Sequence, residues 1–447
     1  MQNPLIHSRR FARCAAFSLT IALTLSQRAY AQTAPDAGAA PEPRAQSAPM
    51  VDEITARVSR VRALSVRGPI ASGVLSRDEI LARLRGRIAQ EYQADELARE
   101  GLLFRTLGLW NDPQGYVDLT FSILEEQVAG FYDPSTRRLY VASWLSPLTQ
   151  GPTLAHELTH ALQDQHFDIS RFTHHVRGSG DRQLAAMTII EGDATLAMLA
   201  FLQGGAGIAD RARAQSVAMR DTRGGGERLA RAPLVLRESL VFPYREGLSV
   251  CADAYERGGW RAINALLRDP PQSTEQILHP DKLAQREAPQ EITVALPPSL
   301  ASTHELAYEE TFGELGIRLW IATWLSANVA ESAAAGWGGD RAALFVARGT
   351  TPVTERTPAV SLWKIAMDAT PFDAEALELE RAVIAQLRAR YPRARRVTLA
   401  GVRYAVTTSA TTVALVARQG STLLVGDGVP TRLAASVVRE TLNGLTP

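Results

Sequence analysis

From Val51 the apolar positions recur at helical spacing, and Ser76-Arg77-Asp78-Glu79 offers the next helix a capped start that carries it through Tyr92. The period then shortens. QVAGFY at 127–132 and RLYVAS at 138–143 read as two strands, joined by the turn chemistry of Asp133-Pro134-Ser135-Thr136. Gly151-Pro152-Thr153 opens a further helix, with Pro152 suited to a first turn. A coil from Asp168 to Asp181 precedes a strong apolar helix running from Gln183 to about Gln203. The loop Arg223-Gly224-Gly225-Gly226 leads to helical segments up to Arg268, and Pro270-Pro271-Gln272-Ser273 breaks the chain. A polar, proline-containing connection follows at 287–298. A long helix is expected from about Leu306 to Ala335, ending at Gly336-Trp337-Gly338-Gly339.

Beyond that point the pattern changes. Short strands at 343–348, 360–365, 403–407, 412–418 and 421–425 surround a helix starting near Asp373, Gln419-Gly420 closes a hairpin, and a last helix covers 432–443. The expected class is α+β: a mostly helical domain over 51–335 with a small antiparallel sheet, then a separate α+β module over 336–447. Gln32–Met50 is an Ala/Pro-rich linker with nothing to build a core from.

The N-terminus adds a compartment. Arg9, Arg10 and Arg13 precede the short apolar run CAAFSLTIALTL at 14–25, and Ala29-Tyr30-Ala31 supplies a small-x-small cut site. The run is short for a bilayer, so residues 1–31 read as a cleaved export signal, with an uncleaved anchor as the alternative. Export implies a periplasmic or secreted protein. After cleavage one cysteine, Cys251, is left, which excludes an intramolecular disulfide. The 194–209 stretch holds Gln203 and several glycines and reads as a buried helix and its exit, so no membrane span is expected in the mature chain. A net charge of +1 without a basic block argues against nucleic acid as a partner.

The candidate chemistry lies at 153–168, TLAHELTHALQDQHFD. His156 and His160 flank Glu157 in the spacing H-E-x-x-H, which stacks both rings on one helix face. A catalytic zinc needs three protein ligands and an open position. In the following apolar helix, AAMTIIEGDATLAML, a buried carboxylate at Glu191 would be costly without a positive partner, so Glu191 is assigned as the third zinc ligand. Thr195, one turn on, shares its face and is a candidate to accept from a free ring nitrogen of His156 or His160. Asp193 falls on roughly the opposite side and is expected to meet solvent or a basic partner. Asp164 reads as helix surface, His166 lies off the ligand face, and His174 and His175 sit in a loop. The H-E start at His304 lacks its second histidine.

HELTHALQDQ followed by EGDAT resembles the gluzincin branch of the zincin metallopeptidases. The chain is similar, more narrowly, to a group of exported bacterial and archaeal metallopeptidases that share FYDPSTRRLYV, FPYREG, STEQILHP and GWGGD, here at 131–141, 242–247, 273–280 and 336–340. Two departures stand out: Leu283 where an aromatic residue is expected, and Thr195 where thermolysin-like enzymes carry an aspartate. The resemblance implies a zincin-like fold. It also implies that the strand before the motif helix, 139–143, pairs with an extended peptide substrate.

In that reading Glu157 acts as general base on a zinc-activated water, and an oxyanion donor comes from His279, Tyr244 or Tyr140, with His279 foremost through its place in STEQILHP. Two rivals stand beside it: a non-catalytic zinc-binding scaffold, against which the intact Glu157 and the single mature cysteine argue, and a zinc hydrolase of a non-peptide amide.

Overall fold

The computed structural model describes residues 48–91, 95–110, 112–134, 136–173, 178–220 and 226–442. The expected export signal, most of the linker, and His174 and His175 lie outside the described residues.

Three helices carry the N-terminal half. The first, Pro147–Phe167, bears the H-E-x-x-H motif. Its start is earlier than the sequence pattern suggests, because Ser146 accepts from Thr149 N–H as an N-cap and Pro147 takes the first turn. Pro152 is therefore inside the helix and costs it one backbone hydrogen bond. The second, Gly180–Gln203, bears Glu191 and is buried on nearly every side, including Ile189, Ile190, Ala194, Leu196 and Ala197. It is long and apolar enough to cross a membrane, but 83% of its apolar window is buried against the rest of the fold. The third, Leu234–Arg268, bends at Gly258–Gly259.

The second and third helices cross backbone to backbone. A Cβ placed on Gly192 would lie 2.2 Å from the carbonyl of Gly247, and one on Gly247 would lie 2.0 Å from Thr188 O. The glycines of EGDAT and FPYREG are thus the contact that lets these helices close up beside Glu191.

A small sheet packs on the motif helix. Its strands are β1 (Ala71–Leu75), β2 (Gly130–Asp133) and β3 (Arg138–Ala142), in the order β1-β3-β2, with β1 parallel and β2 antiparallel to β3. The β2–β3 hairpin falls where the alternation of 127–143 predicts it. Leu139 and Val141 face Val51, Leu154 and Leu158, whereas Phe131 and Tyr140 face Ile80 and Leu84 of the helix Arg77–Glu91. That helix is capped as expected: Ser76 N–H donates to Glu79 and Ser76 Oγ accepts from Glu79 N–H. The expectation that 139–143 pairs with an extended peptide is overturned, because strands flank it on both sides. The five-residue β1, too short and glycine-containing to read as a strand, covers the outer side of β3, and β2 is the edge on the motif-helix side.

The second sheet is antiparallel and ordered β4-β5-β6-β9-β8-β7, from β4 (His304–Glu310), β5 (Trp337–Ala347), β6 (Ala359–Met367), β7 (Tyr404–Thr407), β8 (Thr412–Gln419) and β9 (Thr422–Pro430). The long helix expected over 306–335 does not form. Residues 304–310 pair with β5, Gly313 turns the chain at φ +67°, and two short helices follow, Gly313–Ala322 and Ala327–Ala334. The sheet consequently begins upstream of Gly336. One of its faces shares a continuous core with the helical half, from Ile189 and Phe242 through Trp320 and Trp363 to Val425. Its other face, with Phe345, Leu362 and Leu424, is covered by Val437 and Val438 of the helix Ala434–Leu442.

Candidate metal centre

The motif helix and the Gly180–Gln203 helix bring His156, His160 and Glu191 together, and all three are buried. His156 Nε2 lies 3.1 Å from His160 Nε2, and Glu191 Oε2 lies 3.1 Å from the first and 3.4 Å from the second. Ligand atoms on a tetrahedral zinc with bonds of about 2.0–2.1 Å sit about 3.3 Å apart, so the three separations match one face of such a site. Glu191 Oε1 is buried without a hydrogen-bond partner, in a helix that is otherwise mostly apolar. A buried carboxylate in that state calls for a cation. The residues present therefore fit a metal ion.

The hydrogen bonds around His160 set its tautomer. Gln163 Nε2 donates to Ile190 O at 3.0 Å and to Asp193 Oδ2 at 2.8 Å, which uses both amide hydrogens. Gln163 Oε1, 2.8 Å from His160 Nδ1, must then accept, so Nδ1 carries hydrogen and Nε2 points at the centre. Asp193 is fixed in turn by Arg62, whose Nε donates to Oδ1 at 2.6 Å, with both side chains fully buried. Arg62 also bonds Asn264 and lies over the Trp260 ring. The basic partner expected for Asp193 is thus Arg62, and the position that looked solvent-facing is interior because helices surround Gly180–Gln203 on all sides.

Burial is the largest influence on both rings and disfavours their charged forms. At His160 the carboxylates of Glu191 and Glu157, with Gln163, outweigh it and hold the ring at about 9, while at His156 burial prevails and the pKa falls. Burial likewise pushes Glu191 up, but the two rings outweigh it and hold its carboxyl at about 2.

Glu157 Oε2 accepts the backbone N–H of Tyr132 at 2.8 Å, which ties the candidate base to the free edge of β2. Tyr132 Oη donates to Asp164 at 3.1 Å, one helical turn past His160. Tyr244 is buried and stacks on His156, ring centroids 6.1 Å apart at 27°.

Three residues that the sequence puts forward make no hydrogen bond to this group in the structure. Thr195 is buried beside it, yet its hydroxyl bonds neither ring; Gln163 takes the supporting role instead. Tyr140 faces the opposite side of the sheet, against Phe131 and the Arg83 guanidinium. His279 bonds Glu314 at 2.9 Å and 3.0 Å, and Glu314 pairs with Arg318. The STEQILHP segment around it is a brace. Ser273 caps its helix Thr274–Leu278, and Thr274 donates to Asp181 at the start of the Glu191 helix. His166 Nε2 donates to Ser65 O, and His304 contacts Thr303, both away from the centre.

Gln163 and Arg62 were missed by sequence reasoning. Gln163 could have been found as the polar residue three positions after His160 within a buried helix. Arg62 carries no local signal, being 131 positions from Asp193. A second cluster of carboxylates, Glu275, Glu287 and Asp368, surrounds Lys282 Nζ at 2.6, 3.1 and 2.7 Å, so a lysine already neutralises it. Replacing Gln163 by Leu is expected to weaken zinc binding by about 10–100-fold, read by competition with a chelator, because His160 loses its acceptor and Asp193 a donor. Unchanged zinc affinity would show that the tautomer does not depend on Gln163.

Compared with known proteins, residues 112–202 match the family model described as IrrE N-terminal-like domain, of peptidase family M78. Residues 303–439 match a domain of unknown function, a span that runs from the start of β4 into the last helix. Neither match covers half of the chain. No curated protein and no solved structure matches it. The first match contains β2, β3, the motif helix and Glu191, and it indicates a zinc-metallopeptidase-like region there.

Proposed function

We propose that this chain is an exported zinc metallopeptidase that cleaves peptide bonds, with His156, His160 and Glu191 holding the metal. The observation that carries the reading is the buried triangle of two Nε2 atoms and one carboxylate oxygen with Glu157 beside it on the same helix. Bound there, zinc would supply a Lewis acid and bring the pKa of water towards neutrality. Glu157 would accept the proton of the attacking water and return it to the leaving amine. Tyr132 N–H holds the Glu157 carboxylate at the β2 edge, so a peptide pairing with that edge would lie alongside the base. Tyr244, packed on His156, is the donor candidate for the oxyanion in place of His279.

One preparation from the cell envelope tests the proposal. Elemental analysis is expected to give one zinc per chain, a peptide library is expected to be cleaved, and the intact mass is expected to lack residues 1–31. Zinc without cleavage of any peptide would favour the scaffold reading, absence of zinc would remove the metal assignment, and a mass retaining the leader would replace cleavage by an anchor.

A further inference from the structure

A cleft of about 1430 Å³ opens one helical turn past His160, where Asp164 lines it, and four arginines stand in its walls. The ligand face of the motif helix leads towards it: His156, His160 and Asp164 follow at intervals of four, and Asp164, about 6 Å beyond His160 along the helix axis, lines the cleft. Tyr132 joins the two, with its backbone N–H on Glu157 and its ring in the cleft wall. A chain lying on the β2 edge would therefore run on into this space.

Four arginines, Arg67, Arg137, Arg171 and Arg268, reach the cleft from four separate segments, and all are exposed. Among the described residues none of them makes an ion pair with a carboxylate. Arg67 donates to Gln165 O, Arg171 donates to Arg268 O, and Arg268 lies over the Phe167 ring. Arginines elsewhere are commonly matched, as Arg213 is by Asp210, Asp253 and Glu256, or Arg245 by Glu238 and Glu246. Against these four charges the cleft sets two carboxylates. Asp164 is engaged by Tyr132 and Asp168 by Ser170. The excess is cationic in a chain whose net charge is only +1.

We infer that this cleft binds a carboxylate of the substrate, a few residues from the scissile bond, through the unpaired guanidiniums. The inference rests on the peptidase reading for the word substrate, while the binding itself does not. Guanidinium forks match carboxylates in bidentate geometry, and clefts of one charge sign concentrate ligands of the other. The carboxylate has two sources, an Asp or Glu side chain or the free C-terminus of a peptide. A peptide is preferred over a nucleic acid because the cleft continues a strand edge and is only partly cationic, with two carboxylates of its own.

The test is binding to the zinc-loaded Glu157→Gln protein, read by fluorescence anisotropy with labelled octapeptides rich in Glu, Gln or Lys, each with a free or an amidated C-terminus. The Glu peptide is expected to bind at least tenfold more tightly than the Gln peptide at low salt, with the gap closing as salt rises. Adding Arg137→Glu and Arg268→Glu is expected to abolish or reverse the gap, with unchanged zinc content and melting temperature. The milder pair Arg137→Gln and Arg268→Gln should narrow it if the reversals fail to fold. Tighter binding of the Glu than of the Gln peptide when both are amidated identifies the side chain as the source, and loss of Gln-peptide binding on amidation identifies the C-terminus. Equal binding of the amidated Glu and Gln peptides together with no loss when the Gln peptide is amidated, or tighter binding of a single-stranded oligonucleotide of equal length, overturns the inference. If wild-type protein cleaves no peptide yet the Glu preference holds, the peptidase reading fails and the cleft assignment stands.

Discussion

Glu157→Gln protein is expected to lose peptide turnover by roughly 10²–10⁴-fold while keeping its zinc and its fold, the range typical of a lost general base. The geometry makes this a clean substitution. Glu157 is not among the three atoms that converge on the metal position, and its Oε2 accepts Tyr132 N–H, a bond that the amide oxygen of glutamine can retain. The side chain is fully buried, so an isosteric neutral group removes a desolvated charge and leaves the packing alone. A kinetic assay with parallel zinc analysis measures both halves. Turnover within about tenfold of wild type would take the proton-transfer role from Glu157.

The largest expected effect on stability is at Gly192. A methyl there would meet the Gly247 carbonyl group at 2.2 Å, which is backbone that cannot swing aside, so Gly192→Ala has to push two packed helices apart. The cost is put at about 3 kcal/mol or more, at the upper end for overpacking. Because Glu191 is the preceding residue, metal affinity should fall as well. Gly86 offers the contrast: it sits in the exposed part of the helix Arg77–Glu91 with nothing within 4 Å of a new Cβ, and Gly86→Ala should gain about 0.5–1 kcal/mol. Denaturant unfolding of the two variants beside wild type reads both signs. A Gly192→Ala protein as stable as wild type would mean that the helix crossing is looser than its geometry.

The sequence alone determined what is local. The spacing of four that stacks His156 and His160 is a property of any α-helix, and a carboxylate at Glu191 inside an apolar run is improbable without a cation, whatever surrounds it. The hairpin of β2 and β3, the Ser76 cap and the strands from β6 to β9 were legible for the same reason: turn chemistry, capping residues and period-2 alternation act over a few residues. Misreadings arose where the deciding contact is distant. Residues 304–310 alternate weakly and became a strand because β5 pairs with them, and β3 lost its edge because β1 docks on it from 67 positions upstream at Ala71↔Arg138. His279 sits in a recognisable motif, but only tertiary structure shows that Glu314 holds it and that Gln163, Asp193 and Arg62 stand behind His160 in place of Thr195. Hydrogen-bond partners are set by which side chains meet in three dimensions, and chain separations of 35, 30 and 131 positions leave no periodic trace in the sequence.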